Sequence, residues 1–271
     1  MAEMKTGYAP IGGAKLYYEV AGRGHPLVMV HAGIADHTMW DDQFTEFARH
    51  YRTIRFDNRG YGKTEPVDGE FAIHEDIGAL LKLLSVDKTY LMGCSMGGAA
   101  CIDFTLQYPD KVDALILVGS GPGGLDLDVP MPPQFAEIEQ ASKAGDWERI
   151  NDLEIQVWFD GQGRTPDQMD AAQRTHALEM NRRVLSHEQK GLGKRKPPLN
   201  PSATERLGEL HLPVLIVYGD RDTPYTQAAA DYMEQHIRGA KKALMPNTAH
   251  LPNMERPAEF NRIVLDFLGS V

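Results

Sequence analysis

Cysteine is scarce in this chain: Cys94 and Cys101 are the only two among 271 residues. A secreted disulfide scaffold needs more of them, and neither stands at a metal-ligand spacing, so we expect no disulfide framework and no metal site. Apolar runs long enough to span a bilayer are missing, and Met1–Pro10 lacks the apolar core of a signal peptide. We therefore expect a cytoplasmic protein that does not contact membranes. Periplasmic or extracellular residence stays open, because a chain that has lost a leader would have the same sequence.

Positive charge is also in short supply, with 28 Lys and Arg against 38 Asp and Glu, a formal net charge of −10 at pH 7. Such a chain lacks the basic surface of a nucleic-acid binder, so we expect no nucleic-acid partner. A single basic cluster, Lys190 to Lys196, is diluted by glycines and followed by prolines. A solvated loop is the favoured interpretation of it. Composition leaves the oligomeric state undetermined.

Short apolar runs bounded by turn residues recur along the chain and predict buried strands. These runs are Lys15–Val20, Leu27–Val30, Thr53–Phe56, Thr89–Met92, Ala114–Val118, Val214–Tyr218 and Lys242–Met245. Helical patterns separate most of them, at Ile77–Leu84, Ala99–Gln107, Gln227–His236 and Ala258–Leu268. Alternation of this kind predicts an α/β fold with a mostly parallel central sheet flanked by helices on both faces.

One stretch, residues 125–206, interrupts this alternation. It contains helix-like segments and no convincing strand, and turn-rich sequence borders it at Gly121–Gly124 and at Gly191–Pro201. Strand and helix patterns resume afterwards, so the chain returns to complete its sheet. The sequence therefore predicts one core, residues 1–124 and 207–271, with a helical cap inserted at 125–206.

The candidate nucleophile is Ser95. It lies in Gly93-Cys94-Ser95-Met96-Gly97, directly after a predicted strand and before a predicted helix. Glycines permit the sharp turn that exposes such a serine at a strand tip, where the helix N-terminus favours developing negative charge. A serine that merely caps the helix would fit the same short motif. The downstream residues decide between the two interpretations.

A serine hydroxyl needs an adjacent base, and the base needs an orienting carboxylate. His250 lies in a loop after the last predicted strand, and Asp222 lies in a loop after the strand before it. Both loops belong to the carboxyl edge of the predicted sheet, where ligands gather in open α/β folds. Asp220 is a second acid in the same loop, and we expect it to brace the turn.

An oxyanion hole should complete the site by donating N–H groups to the charge that forms on the carbonyl oxygen. One donor should be Met96, the residue after the nucleophile. We expect the other to be Gly33, in the loop after Leu27–Val30, with Ile34 as the alternative. His31 in the same loop is expected to be a buried structural residue.

These motifs resemble those of the α/β-hydrolase superfamily, whose triad follows the same chain order. The resemblance spans nearly the whole chain outside the insertion and is strongest with capped esterases, enol-lactonases and carbon–carbon-bond hydrolases. It implies an eight-stranded sheet with the cap between the sixth and seventh strands, and a structural turn near the site at Asp57–Gly62. Family members usually have glycine where this chain has Ala32. The motifs that carry the resemblance are Val30-His31-x-Gly33 with Trp40, Asp57-x-Arg59-Gly60-x-Gly62, Gly93-x-Ser95-Met96-Gly97-Gly98, Gly219-x-x-Asp222 and His250 with Glu255-Arg256-Pro257.

The sequence thus predicts a serine hydrolase that cleaves small carboxylic esters or lactones through an acyl-enzyme and needs no cofactor. Two alternatives stay open: a carbon–carbon-bond hydrolase of ring-cleavage products, and a triad-retaining ligand receptor. Trp158 is the candidate substrate-binding residue of the cap. His176 and Met180 are further candidates there, although packing within the cap is the favoured interpretation for each of these three residues.

Overall fold

A computed structural model describes residues 4–271. The expectation that Met1–Pro10 contains no signal peptide therefore concerns three residues, 1–3, that lie outside the described part of the chain. The strands are β1 (Lys5–Ile11), β2 (Ala14–Ala21), β3 (Pro26–Val30), β4 (Arg52–Phe56), β5 (Glu70–Phe71), β6 (Thr89–Cys94), β7 (Val112–Val118), β8 (Lys194–Arg195), β9 (Val214–Gly219) and β10 (Lys241–Met245). The α-helices are α1 (Asp41–Phe47), α2 (Ile73–Leu83), α3 (Met96–Gln107), α4 (Gln134–Ala144), α5 (Trp147–Ile155), α6 (Ala171–Glu188), α7 (Ala203–Arg206), α8 (Pro224–His236), α9 (Pro252–Glu255) and α10 (Pro257–Leu268).

Eight strands form one sheet in the order β1-β2-β4-β3-β6-β7-β9-β10. The first two pairings, β1 with β2 and β2 with β4, are antiparallel, and every later neighbour is parallel. The predicted fold class, a mostly parallel sheet flanked by helices, is confirmed. Strand order reverses between β3 and β6, and in open α/β sheets such a reversal opens a crevice at the carboxyl ends of the two strands. That crevice lies at the loops predicted to hold Gly33 and Ser95.

Two apolar cores lie on opposite faces of this sheet. Alternate residues of a strand point to opposite faces, so Val28 belongs to one core and Met29 to the other. Residues of α2, α3 and α8 cover the first face, and residues of α1 and α10 cover the second. The central strands are therefore buried on both sides, which explains why they are nearly continuous apolar runs in the sequence.

The hairpin strand β1 was not predicted from the sequence. Its segment, Lys5–Ile11, contains Gly7 and Pro10, which weaken a strand pattern. Proline is tolerated there because β1 is the outermost strand, where a missing N–H breaks no central ladder. The segment pairs along its whole length with β2.

The insertion leaves the sheet after β7 and returns at β9, which are the sixth and seventh strands of the main sheet. It carries α4, α5, α6 and α7 and, contrary to the sequence interpretation, the two-residue strand β8, which pairs with β5 of the core. The cap boundaries at 125 and 206 stay a prediction. Between residues 4 and 271, no helix has both the length and the apolar composition required to cross a membrane.

The basic cluster at the end of the insertion is exposed, as the sequence interpretation expected, and three of its side chains also contact the core. Lys190 forms an ion pair with Glu65 at 2.5 Å, and Lys196 forms one with Glu75 at 2.7 Å. Arg195 donates to the hydroxyl of Tyr61 at 2.7 Å. Exposed pairs like the first two contribute little energy each.

Candidate active site

Ser95 stands at the sharp turn between β6 and α3. Its φ of 52° and ψ of −117° lie outside the regions that side-chain-bearing residues favour. A Cβ at Gly93 would stand 2.4 Å from the carbonyl oxygen of Gly97, and one at Gly97 would stand 2.4 Å from that of Val30. Both glycines of the motif are therefore required by close backbone approach, as the sequence interpretation expected.

The side chain of Ser95 makes no capping hydrogen bond to α3, although the residue is at the N-cap position. Its backbone N–H donates to the carbonyl of Val118 at 2.8 Å, which fixes the turn against the end of β7. The geometry argues against a purely capping serine, because the hydroxyl remains available at the N-terminus of a helix.

His250 and Asp222 meet at the same edge of the sheet. His250 Nδ1 lies 2.7 Å from Asp222 Oδ2, and their side chains are 5% and 0% exposed. The second carboxylate oxygen of Asp222 accepts the N–H of Thr223 at 2.6 Å. A buried carboxylate with both oxygens engaged holds the imidazole in one orientation and one tautomer.

Asp220 has a different partner. Its carboxylate accepts the backbone N–H of Asn247 at 2.6 Å, and its side chain is 38% exposed. It also lies 3.9 Å from Arg221 Nε. The contacts are those expected of a residue that braces the turn.

The end of β7 links the serine turn to the acid and the base. A Cβ at Gly119 would stand 3.2 Å from His250 Nδ1 and 3.4 Å from Asp222 Oδ2. The preceding residue, Val118, accepts the N–H of Ser95. Cys94, next to the serine, lies with its thiol 3.5 Å from the carbonyl of His250. The structure therefore places the three predicted catalytic residues at the same edge of the sheet, after the carboxyl ends of β6, β9 and β10.

Gly33, one of the two predicted oxyanion-hole residues, lies beside the other, Met96. A Cβ at Gly33 would be 3.7 Å from the Cβ of Met96. The loop bends through a hydrogen bond from the N–H of Ala35 to the carbonyl of Ala32 at 3.2 Å, and Ile34, the alternative donor, is buried. Alanine at position 32 fits this bend without exposed surface.

His31 is buried and hydrogen-bonded on both ring nitrogens. Nδ1 lies 2.8 Å from the carbonyl of Ala32, and Nε2 accepts the backbone N–H of Asn58 at 3.0 Å. Burial lowers the pKa of His31, so the ring is a neutral strut between two loops. Its contacts agree with the structural role expected from the sequence.

Trp158 lies in a π turn, Gln156–Asp160, that follows α5 in the insertion. Its ring centroid is 4.5 Å from that of His250, and Phe135 packs edge-on against its other side at 5.9 Å. Irregular helical turns of this kind are frequent at functional sites. The structure therefore brings the predicted substrate-binding residue to the candidate base.

The two other cap candidates have packing or docking contacts. Met180 is fully buried in the apolar core that also contains Trp40. His176 Nε2 lies 2.9 Å from the hydroxyl of Thr38 and so joins α6 to the segment after the Gly33 loop. Neither residue is hydrogen-bonded to the acid or the base.

A buried ionic network beneath the Gly33 loop was not predicted. Asp36, His37 and Asp57 place potential metal-ligand atoms within 4.8 Å of one another. Protein groups already engage them, since His37 Nδ1 lies 2.8 Å from Asp57 Oδ1 and Arg183 binds Asp36 at 2.7 Å. Burial opposes a charged imidazole here, but hydrogen bonds to Asp57 and Glu19 outweigh it and raise the pKa of His37 to about 9. The cluster fits an ionic brace for the loop better than an open metal site.

Comparison with known proteins places this geometry in a family. The family model described as the alpha/beta hydrolase fold matches residues 25–257. The chain is an α/β-hydrolase. This α/β-hydrolase is 27% identical over 268 residues to the 2-hydroxy-6-oxononadienedioate/2-hydroxy-6-oxononatrienedioate hydrolase of Paraburkholderia xenovorans (strain LB400), an alignment that covers 95% of this chain and 92% of the relative.

Solved structures resemble the α/β-hydrolase over nearly its full length. The enol-lactonase from Burkholderia xenovorans LB400 has a TM-score of 0.74 at 21% identity, covering 97% of this chain and 99% of that one. The esterase EaEST from Exiguobacterium antarcticum has a TM-score of 0.78 at 22% identity, with the same coverages. At such identities the likeness establishes the fold alone.

Proposed function

We propose that this α/β-hydrolase is a serine hydrolase that cleaves small carboxylic esters or lactones through an acyl-enzyme. The observation that carries the proposal is the buried hydrogen bond between Asp222 and His250, next to a strained Ser95 whose hydroxyl caps no helix. An orienting acid, a base and a free hydroxyl are the three groups that nucleophilic acyl transfer requires.

In the proposed reaction, Ser95 Oγ attacks the carbonyl carbon while His250 Nε2 takes its proton. Asp222 holds the Nδ1–H and stabilises the imidazolium that forms. The imidazolium then returns the proton to the leaving alkoxide, which departs as the alcohol of an ester or remains on the acyl group as the hydroxyl of an opened lactone. Water, activated by the same histidine, hydrolyses the acyl-enzyme and restores the serine.

The N–H groups of Met96 and Gly33 are the proposed donors to the tetrahedral oxyanion. Their adjacency supports this role, because two donors must converge on one oxygen. Removing one such donor typically lowers kcat by about a hundred- to a thousandfold.

A carbon–carbon-bond hydrolase is the second candidate, and the printed name of the Paraburkholderia relative favours it. Both reactions would use the same three catalytic side chains, so the triad does not separate them. The small-molecule substrate, the lack of a cofactor and cytoplasmic residence belong to the same proposal.

A fluorophosphonate probe tests the nucleophile. Intact-protein mass spectrometry should show one adduct per chain, and Ser95→Ala should abolish it, because the probe captures a base-activated hydroxyl. Labelling at Cys94, or none in the wild-type protein, would contradict the proposal.

The substrate class is tested by turnover. The purified protein should hydrolyse p-nitrophenyl esters and simple lactones with multiple turnovers. Faster turnover of a vinylogous diketo acid than of any ester would contradict the ester or lactone proposal and support carbon–carbon-bond hydrolysis. A single slow turnover with every compound would favour a receptor over an enzyme.

A further inference from the structure

The insertion contacts the acid and base loops through residues 158–164, which we name the clamp segment. We propose that Arg164 of this segment and Glu255 of α9 are positioning residues for His250, so that the insertion controls turnover as well as covering the site. This inference rests on the proposed function, since it assigns a role to contacts around the candidate base.

The clamp segment first holds the acid loop. The backbone N–H of Gln162 donates to the carbonyl of Arg221 at 2.7 Å, and its side-chain amide donates to the carbonyl of Asp222. A Cβ at Gly161 would stand 2.6 Å from both the carbonyl of Arg221 and the Cβ of Ala249. A side chain at position 161 would therefore clash with both loops, because the segment packs closely between the acid loop and the base loop.

The base loop is held at two consecutive backbone groups. The N–H of His250 donates to the carbonyl of Trp158 at 3.2 Å. The N–H of Ala249 donates to Glu255 Oε1 at 2.6 Å. Together these bonds fix the peptide that carries the imidazole, with one anchor in the insertion and one in the core.

Arg164 joins the two anchors. Its Nη1 donates to Glu255 Oε2 at 2.6 Å and to the carbonyl of Asn247 at 2.9 Å. Its other nitrogens donate to the carbonyls of Phe159 and Asp160, at the end of the π turn. A planar guanidinium can serve four acceptors at once in this way, whereas a lysine ammonium cannot reproduce the fork.

The charge pair is well shielded, since the side chains of Arg164 and Glu255 are 15% and 7% exposed. Burial raises the pKa of the Glu255 carboxyl, and the neighbouring Arg164 acts in the opposite direction by favouring the charged form. Losing the guanidinium would leave a buried carboxylate without its cation, which proteins relieve by protonation or by movement. Either response would loosen the bond to the N–H of Ala249.

A small shift of the base is costly because proton transfer depends on alignment between imidazole, hydroxyl and carboxylate. Displacements of about 1 Å, even when caused by changes away from the reacting atoms, are able to lower the rate by about a hundredfold. Arg164 and Glu255 both bind the loop that carries the imidazole, so their effect should appear mainly in kcat.

The test compares Arg164→Met and Glu255→Gln in the full-length protein with p-nitrophenyl acetate as substrate. Each should lower kcat by about ten- to a hundredfold, leave KM within about twofold, and slow fluorophosphonate labelling in parallel. The double variant should be no slower than the slower single variant, because both changes break one connection. Arg164→Lys should recover part of the lost kcat.

Arg182→Met is the control. Arg182 lies in the same insertion and pairs with Glu148 at 3.0 Å, and neither residue belongs to the clamp segment, the acid loop or the base loop. The substitution removes an arginine and its ion pair from the insertion, and it should leave kcat unchanged. Unchanged kcat in Arg164→Met, additive losses in the double variant, or an equal loss of kcat in Arg182→Met would overturn the positioning role. Failure of the wild-type protein itself to be labelled at Ser95 would overturn the proposed function, and this inference with it.

Discussion

At the scale of single residues, Asp220 and Asp222 show how strongly surroundings separate two identical side chains. They share one loop after β9, but Asp222 is fully buried against His250 while Asp220 is partly exposed and binds the N–H of Asn247. The buried acid is the one that can hold an imidazole in a fixed tautomer.

Conservative substitution should separate their roles. Asp222→Asn should lower kcat by about ten-thousandfold, because an amide at that place favours the wrong tautomer of His250, while circular dichroism stays unchanged. Asp220→Asn should retain most activity, and any loss should follow reduced thermal stability. Steady-state kinetics of the two purified variants provides the measurement, and the reverse ranking in folded protein would reject the acid assignment.

At the scale of structural elements, the insertion contacts the core at several places. Helix α6 reaches the segment after the Gly33 loop through Arg183 and His176, the clamp segment reaches the acid and base loops, and β8 pairs with β5. The first two of these contacts end on loops of the candidate site. Changes at these two contacts should therefore alter the site itself.

Trp158→Ala tests the contribution of the π turn to specificity. Removing the indole opens space next to His250, so p-nitrophenyl butyrate should gain relative to acetate by about tenfold in kcat/KM, the usual worth of one or two methylenes in an apolar pocket. Trp147→Ala, at a half-exposed position in the same insertion, should leave the ratio unchanged. Equal slowing of every ester by Trp158→Ala would show that the ring does not select substrates.

At the scale of the whole molecule, the buried ionic network should make stability depend on pH. The folded-state pKa of His37, about 9, lies above the unfolded value of about 6.5, so the folded form binds the extra proton between these limits. The contribution of His37 to the free energy of unfolding is therefore complete below pH 6.5, and it disappears as the pH rises through 9.

His37→Gln measures that contribution. The difference in unfolding free energy between wild type and variant should be largest below about pH 6.5 and shrink by up to about 3 kcal/mol by pH 9. Urea denaturation at a series of pH values gives the difference, with His50→Gln, an exposed histidine, as control. A difference independent of pH would contradict the charged state of His37.

Much of the core architecture could be predicted from the sequence because central strands are buried on both faces and follow directly from apolar runs. Ser95, Asp222 and His250 lie at the predicted edge of the sheet, because the loops after parallel strands gather there, and their catalytic roles stay a prediction. Strand β1 escaped prediction, since glycine and proline obscure its pattern. The bond between Arg164 and Glu255 escaped it too, because a loop arginine carries no local sign of a partner ninety-one residues away.

The position of the insertion between the sixth and seventh strands also sets an order of synthesis. A ribosome releases the serine turn and the Gly33 loop first, then the whole insertion, and the acid and base loops last. The clamp segment is thus synthesised before the acid loop and the base loop, both of which it contacts. Until the final two strands have emerged, the nascent chain contains the candidate nucleophile without the candidate base, so a product of translation truncated there should have no hydrolase activity.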